Sequence, residues 1–297
     1  MSPKPSLSPQ QQVQLLHQRG LQIDDPAKAE QLLTFVNYYK LRAYFIPYDQ
    51  AGPGGPHQFK SGTTFDDIFS LYRFDRKLRI LVNDMLERLE LAVRTRWAFE
   101  LSQLKGGQAH EDPANFKRRD IHQRSLDSLK ENFLRSKEQF AEHYRLKYPN
   151  LMTPPIWVSV ELLSFGDISF WLRNTKSQGV KRRISSSFGG FEPGFFEDFV
   201  KQASTVRNMC SHHSRLWNRV LPYTPRRLRK GNFDRTLLNT GRTELDKLYN
   251  FLAILAFIAN EISPGHSWCD RLVHFFEKDE SRLSQMGFPK GWRRAFT

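Results

Sequence analysis

The chain has 297 residues, 45 Lys and Arg against 31 Asp and Glu for a net charge of +14, and 13% aromatic residues with 24 Phe. That content is too apolar and aromatic for a disordered basic tail, and the length suffices for a sizeable core. Two cysteines, Cys210 and Cys269, exclude a disulfide framework, and no CxxC pair suggests a structural zinc site.

The start, MSPKPSLSP, lacks the apolar run of a signal peptide, and residues 1–8 read as a disordered tip. Ser8 before Pro9 is a helix start that Gly20 stops. Asp25-Pro26 opens a second helix running to Pro47, with Leu32, Phe35, Val36, Tyr39 and Ala43 as its buried stripe. The Pro- and Gly-rich run 51–62 is a loop. Thr63 or Thr64 then caps the longest helix, from about 65 to 104, which either spans the domain or breaks once before Gly106-Gly107.

Residues 113–148 form one or two amphipathic helices with a basic outer face, carrying Lys117, Arg118, Arg119 and Arg124 over Leu126, Leu129, Phe133 and Phe140. Pro154-Pro155 starts an aromatic helix over 156–173, followed by a connection holding Lys181, Arg182 and Arg183. A helix runs from Phe195 to about Trp217, and a basic loop over 225–230 holds Arg226, Arg227, Arg229 and Lys230. Apolar helix 244–262 and helix 267–277 precede the tail. The most apolar stretch, 248–259, is too short to span a membrane, for which about 20 residues are needed. No strand pattern occurs. The expectation is a cytoplasmic all-α protein with no membrane partner.

The charge excess favours polyanions, RNA or DNA first and anionic lipid second, against a merely solubilising surface. The basic segments 117–147 and 225–230 are the expected RNA-binding surfaces, with Lys181, Arg182 and Arg183 added to them.

In the segment 204–219, Arg207, Asn208 and His212 spell R-N-x-x-x-H. On a helix Asn208 and His212 stack on one face, with Arg207 adjacent. They offer a base that titrates near neutrality, an orienting amide and a permanent cation. Those parts suffice for RNA cleavage by the substrate's own 2′-OH, without a metal or other cofactor. One His serves poorly as both acid and base, so the chemistry asks for a two-fold homodimer with two copies of the motif in one groove. The alternative is a structural motif that arose by chance.

Around this core, His213 is read as packing or a phosphate contact, and Arg215 as a phosphate contact or an ordinary surface residue. Glu161 either orients Arg207 or a neighbouring Arg, or lies on an exposed face. Cys210 is a core residue rather than a nucleophile, and His266, Cys269 and His274 lack a fourth metal ligand.

The string RNMCSHHSRLWN resembles the signature of the HEPN superfamily of helical ribonucleases, and more narrowly its Abi-like branch of AbiD and AbiF type. NYYKLRAYFIPY (37–48), FDDIFSLYRFDRKLR (65–79), LERLELAVRTR (86–96), PPIWVSVELLSFGDIS (154–169) and MGFPKGW (286–292) are similar to that branch in the same order. The resemblance covers about residues 10 to 292. It implies a HEPN-type helical bundle with extra N- and C-terminal helices, a single domain over 9–297 with its core at about 64–262. It also implies a dimeric, metal-independent anti-phage or toxin–antitoxin ribonuclease with Arg207, Asn208 and His212 as catalytic residues. A structured small RNA restrains some members of the branch. Two other classes compete with this reading: a non-catalytic module whose motif grips phosphate, and a helical DNA-binding regulator, for which no helix-turn-helix pair is found.

Overall fold

The computed structural model describes residues 5–50, 58–222 and 228–297. Among them every regular element is helical, and the only β-type pairings are three isolated bridges. The fold is all-α. No helix among the described residues is long and apolar enough to cross a membrane. The chain divides into two compact units, 1–79 and 80–297, the boundary falling within one long helix.

In the first unit, α1 (Pro9–Gln18) starts at a capping box in which Ser8 and Gln11 satisfy each other's backbone donors. Residues 1–4 of the expected disordered tip lie outside the described residues, as do residues 51–57 of the expected loop. The helix expected from Asp25 to Pro47 is broken. α2 (Pro26–Phe35) ends where Val36 turns extended, and Asn37 then caps the short α3 (Tyr38–Arg42). Asn37 bonds the Tyr39 N–H, a local turn that competes with helix continuation. The break resets the helical phase, so Phe35 and Tyr39 are exposed while Leu33, Leu41, Tyr44 and Phe45 are buried. Tyr44 donates to Asp75 at 2.6 Å, and Arg79 pairs with the same buried carboxylate.

The long helix α4 (Phe65–Lys105) is unbroken over 41 residues. Thr64 and Asp67 form its capping box, and Gly106, at φ +77°, follows its last residue.

In the second unit the basic stretch forms two helices, α5 (Arg119–Arg135) and α6 (Gln139–Lys147), with Leu126, Leu129 and Phe133 buried. The expected helix 156–173 is two helices. α7 (Ile156–Ser159) and a 3-10 turn end at Leu163, and a Ser164–Asp167 capping box starts α8 (Phe165–Asn174). The segment with Lys181, Arg182 and Arg183 is a helix, α9 (Gln178–Ser186), and not a connection. Ser177 caps it, and Val180 and Ile184, one turn apart, bury its inner face.

α10 (Pro193–Ser211) stops six residues before the expected Trp217. α11 (Leu248–Ile262) is almost wholly buried and stacks Phe251 on Phe199 of α10, ring centres 5.4 Å apart. Each such fully buried side chain contributes about 1.5–3 kcal/mol of hydrophobic stabilisation. Gly189 sits at φ +98° with Phe257 so close that a Cβ would lie 2.1 Å from its ring, so only glycine fits. α12 (Trp268–Glu277) and 3-10 turns complete the chain, with the Trp268 indole donating to the Leu81 carbonyl at 2.6 Å.

Candidate active site

The R-N-x-x-x-H segment lies on the last turns of α10, whose apolar face is anchored by Phe199, Val200, Ala203, Val206, Met209 and Cys210. That anchoring turns Asn208 and His212 outward, and both are exposed, while Arg207 is half-buried. The His212 N–H still bonds to the Asn208 carbonyl at 2.9 Å, so both residues sit on the closing turn. Helix termination here has a definite cause. His213 adopts the left-handed conformation (φ 56°), its N–H reaching the Cys210 carbonyl at 3.1 Å and the Ser214 N–H the Met209 carbonyl at 2.8 Å. This is a Schellman motif with histidine where glycine is usual. His213 is therefore a helix-ending residue, with an exposed side chain.

Arg207 is held by a residue that sequence reasoning missed. Glu90 on α4 accepts from Arg207 Nε at 3.1 Å and from Nη2 at 2.9 Å, a two-pronged ion pair. The remaining nitrogen, Nη1, faces the Asn208 side-chain oxygen at 3.4 Å. Glu90 is also paired with Arg94, one turn along α4, and Arg94 donates to the Leu163 carbonyl. Two guanidinium groups therefore share one buried carboxylate, and the carboxylate of Glu161 lies 3.9 Å from Arg94. The signal for Glu90 was in the sequence: it falls on the stripe of Leu86, Leu89 and Val93, where a carboxylate needs a cation.

Glu161 does not touch Arg207 in this arrangement. It sits on the exposed 3-10 turn rather than mid-helix, its carboxylate 3.9 Å from Arg94. Arg215 is partly buried just beyond the helix end, and its carbonyl accepts from Arg219 at 3.3 Å. Cys210 is buried, as a small core residue should be.

A family model described as Abi-like protein matches residues 31–218. The chain belongs to the Abi-like family. The match contains Glu90, Arg94, Glu161 and the whole Arg207–His212 segment of this Abi-like protein, and it ends before the MGFPKGW string at 286–292. No curated protein and no solved structure matches the chain.

The basic residues divide by environment. Lys117, Arg118, Arg119 and Arg124 are exposed around the start of α5, with Arg118 and Arg124 sharing Asp120 at 2.7 and 3.0 Å. Arg182 is exposed, and Arg183 is drawn to Glu100 of α4. Lys181 corrects the expectation of a surface cation. It is 1% exposed and its ammonium is bound to Glu197 at 2.7 Å and to the Arg173 carbonyl at 2.8 Å. Its place on the inner face of α9 puts it there. Arg229 and Lys230 are exposed, whereas Arg226 and Arg227 lie outside the described residues. Among the described residues no group of three His, Cys, Asp or Glu is arranged to hold a metal ion. Burial pushes the Cys269 thiol up to about 11.

Proposed function

We propose that this Abi-like protein is a metal-independent endoribonuclease of an abortive-infection, anti-phage or toxin–antitoxin system, built on a HEPN-type helical core at about 64–262 and acting as a cytoplasmic homodimer on RNA. The observation that carries the reading is the pairing of Arg207 with Glu90 beside an exposed Asn208 and His212. Glu90 fixes the guanidinium while leaving Nη1 on the side of Asn208, so a cation is oriented in advance for an incoming phosphate.

In the proposed reaction a His212 imidazole takes the proton of the 2′-OH, and the 2′-oxygen attacks the adjacent phosphorus. The P–O5′ bond breaks, and a protonated imidazole returns a proton to the leaving 5′-oxygen. Arg207 stabilises the charge on the phosphorane and Asn208 positions the phosphate or the ribose hydroxyl. The products are a 2′,3′-cyclic phosphate and a 5′-hydroxyl. A partner copy supplies the second imidazole. A structured RNA that occupies the same groove would keep the enzyme silent.

The second reading is a non-catalytic module that grips phosphate, and the same ion pair favours it, since a guanidinium already engaged by Glu90 can serve binding alone. Incubation of the wild type and His212→Ala with total cellular RNA in EDTA, followed by end-group analysis, separates the two. Cleavage by wild type alone, with cyclic phosphate ends, supports the ribonuclease. RNA binding without cleavage by either protein supports the module.

A further inference from the structure

A second cluster of cations lies away from the α10 C-terminus, at the other end of that helix. Three helices begin there: α5 after Arg118, α9 after Ser177 and α10 after Glu192. Neither α5 nor α10 has a side-chain cap from its capping residue, and the acidic residue in the first turn of α5 is Asp120, which Arg118 and Arg124 already engage. Between them is a cleft of about 510 Å³. Lys117, Arg118, Arg173, Phe170, Gln178 and Glu197 are among its lining residues.

The charges in the cleft do not cancel. Glu197 is taken by the buried Lys181, and Arg173 meets Asp198 at 3.3 Å. Arg118 shares the Asp120 carboxylate with Arg124, and Lys117 stands exposed beside them. Burial pushes the pKa of the Lys181 ammonium below the usual lysine range, against the pull of its Glu197 partner. The aromatic element is Phe170, 47% exposed on α8 although its neighbours Ser169 and Trp171 are buried. The Lys201 ammonium lies 4.4 Å from the centre of its ring.

A volume of this size suits one small ligand rather than a duplex. We propose that this cleft binds one unpaired nucleotide of an RNA strand, its phosphate held by Lys117, Arg118 and Arg173 and its base stacked on Phe170. The inference rests on the RNA reading above and adds a second contact point on the strand, separate from the Arg207–His212 motif.

The test uses the full chain and a fluorescent 2′-O-methyl oligouridylate, which cannot be cleaved through its 2′-oxygen. Fluorescence anisotropy should show Phe170→Ala weakening binding at least about 5-fold, as loss of one stacked base does. Phe170→Tyr should restore it. Lys117→Ala with Arg118→Ala should weaken binding and make the slope of log affinity against log salt shallower by about 1. Lys278→Ala, exposed just beyond α12 and outside the basic segments assigned to RNA, serves as control and should bind like the wild type. All of these side chains are partly or fully exposed, and unchanged melting curves verify the fold. Wild-type affinity and salt slope in the cleft variants would overturn the proposal. If those variants bind like the wild type while the wild type cleaves RNA, the cleft falls alone. Weakened binding in the variants with no wild-type cleavage leaves the cleft standing and removes the ribonuclease.

Discussion

Glu90 and Arg207 lie 117 residues apart in the chain and meet as a two-pronged ion pair, the carboxylate 10% and the guanidinium 26% exposed. The geometry makes Glu90 a positioning residue for the motif. Because Arg94 draws on the same carboxylate, Glu90→Gln leaves two guanidinium groups facing a neutral amide. Removing one partner of such a pair costs on the order of 3 kcal/mol, and urea denaturation should register it. In the Glu90→Gln background, Arg207→Ala should then cost at least about 1 kcal/mol less than in the wild type. Additive losses would mean that the two side chains do not depend on each other.

The helix end beneath His212 makes a separate prediction. His213 holds a left-handed backbone, which costs a side chain with a Cβ roughly 1 kcal/mol relative to glycine. His213→Gly should raise stability by up to about 1 kcal/mol and leave the proposed RNA cleavage intact, while His213→Val should lower stability. A loss of cleavage in His213→Gly with unchanged folding would instead place the His213 imidazole in the reaction.

Much of this architecture could be read from residue spacing, and the exceptions have physical reasons. The Ser8, Asp25 and Thr64 starts and the long α4 follow from capping chemistry and period, which act over one turn. The breaks at Val36, Leu163 and Ser211 were missed because apolar residues continue past each at helical spacing. There a local side-chain bond or a left-handed residue decides the backbone. In the site, Arg207, Asn208 and His212 were legible as a motif, yet the partner of Arg207 was not. Nothing local links position 90 to position 207, and only the fold brings them together. Lys181 was misread for the reverse reason, since a run of three basic residues hides which one faces inward.

A buried histidine contributes to the acid limb of stability. His110 is 1% exposed, its Nε2 at 2.7 Å from the Thr153 hydroxyl and 3.3 Å from that of Ser159. Burial lowers its pKa to about 4, with a small opposing backbone hydrogen bond and a further lowering from His122. The unfolded chain takes up this proton near pH 6.5, whereas the folded chain resists it until about pH 4. More protons are bound by the unfolded state in that window, so the contribution is complete above about pH 6.5 and is lost as pH falls towards 4. The loss amounts to as much as about 3 kcal/mol. His110→Asn should be less stable at pH 7 but should show a smaller drop between pH 7 and pH 4.5 in urea titrations. An equal drop in both proteins would assign the acid limb to other groups.

The proposed dimer can be tested through its stoichiometry. If each reaction needs one imidazole from each of two protomers, a mixed dimer of wild type and His212→Ala lacks either the acid or the base. With random exchange of subunits, cleavage should fall as the square of the wild-type fraction as inactive protein is added at constant total concentration. Arg207→Ala should poison in the same way if both guanidinium groups bear on the shared phosphate. A linear fall, equal to simple dilution, would mean that one copy of Arg207, Asn208 and His212 completes the reaction. Light scattering on the same mixtures, with and without RNA, then distinguishes independent sites within a dimer from a functional monomer.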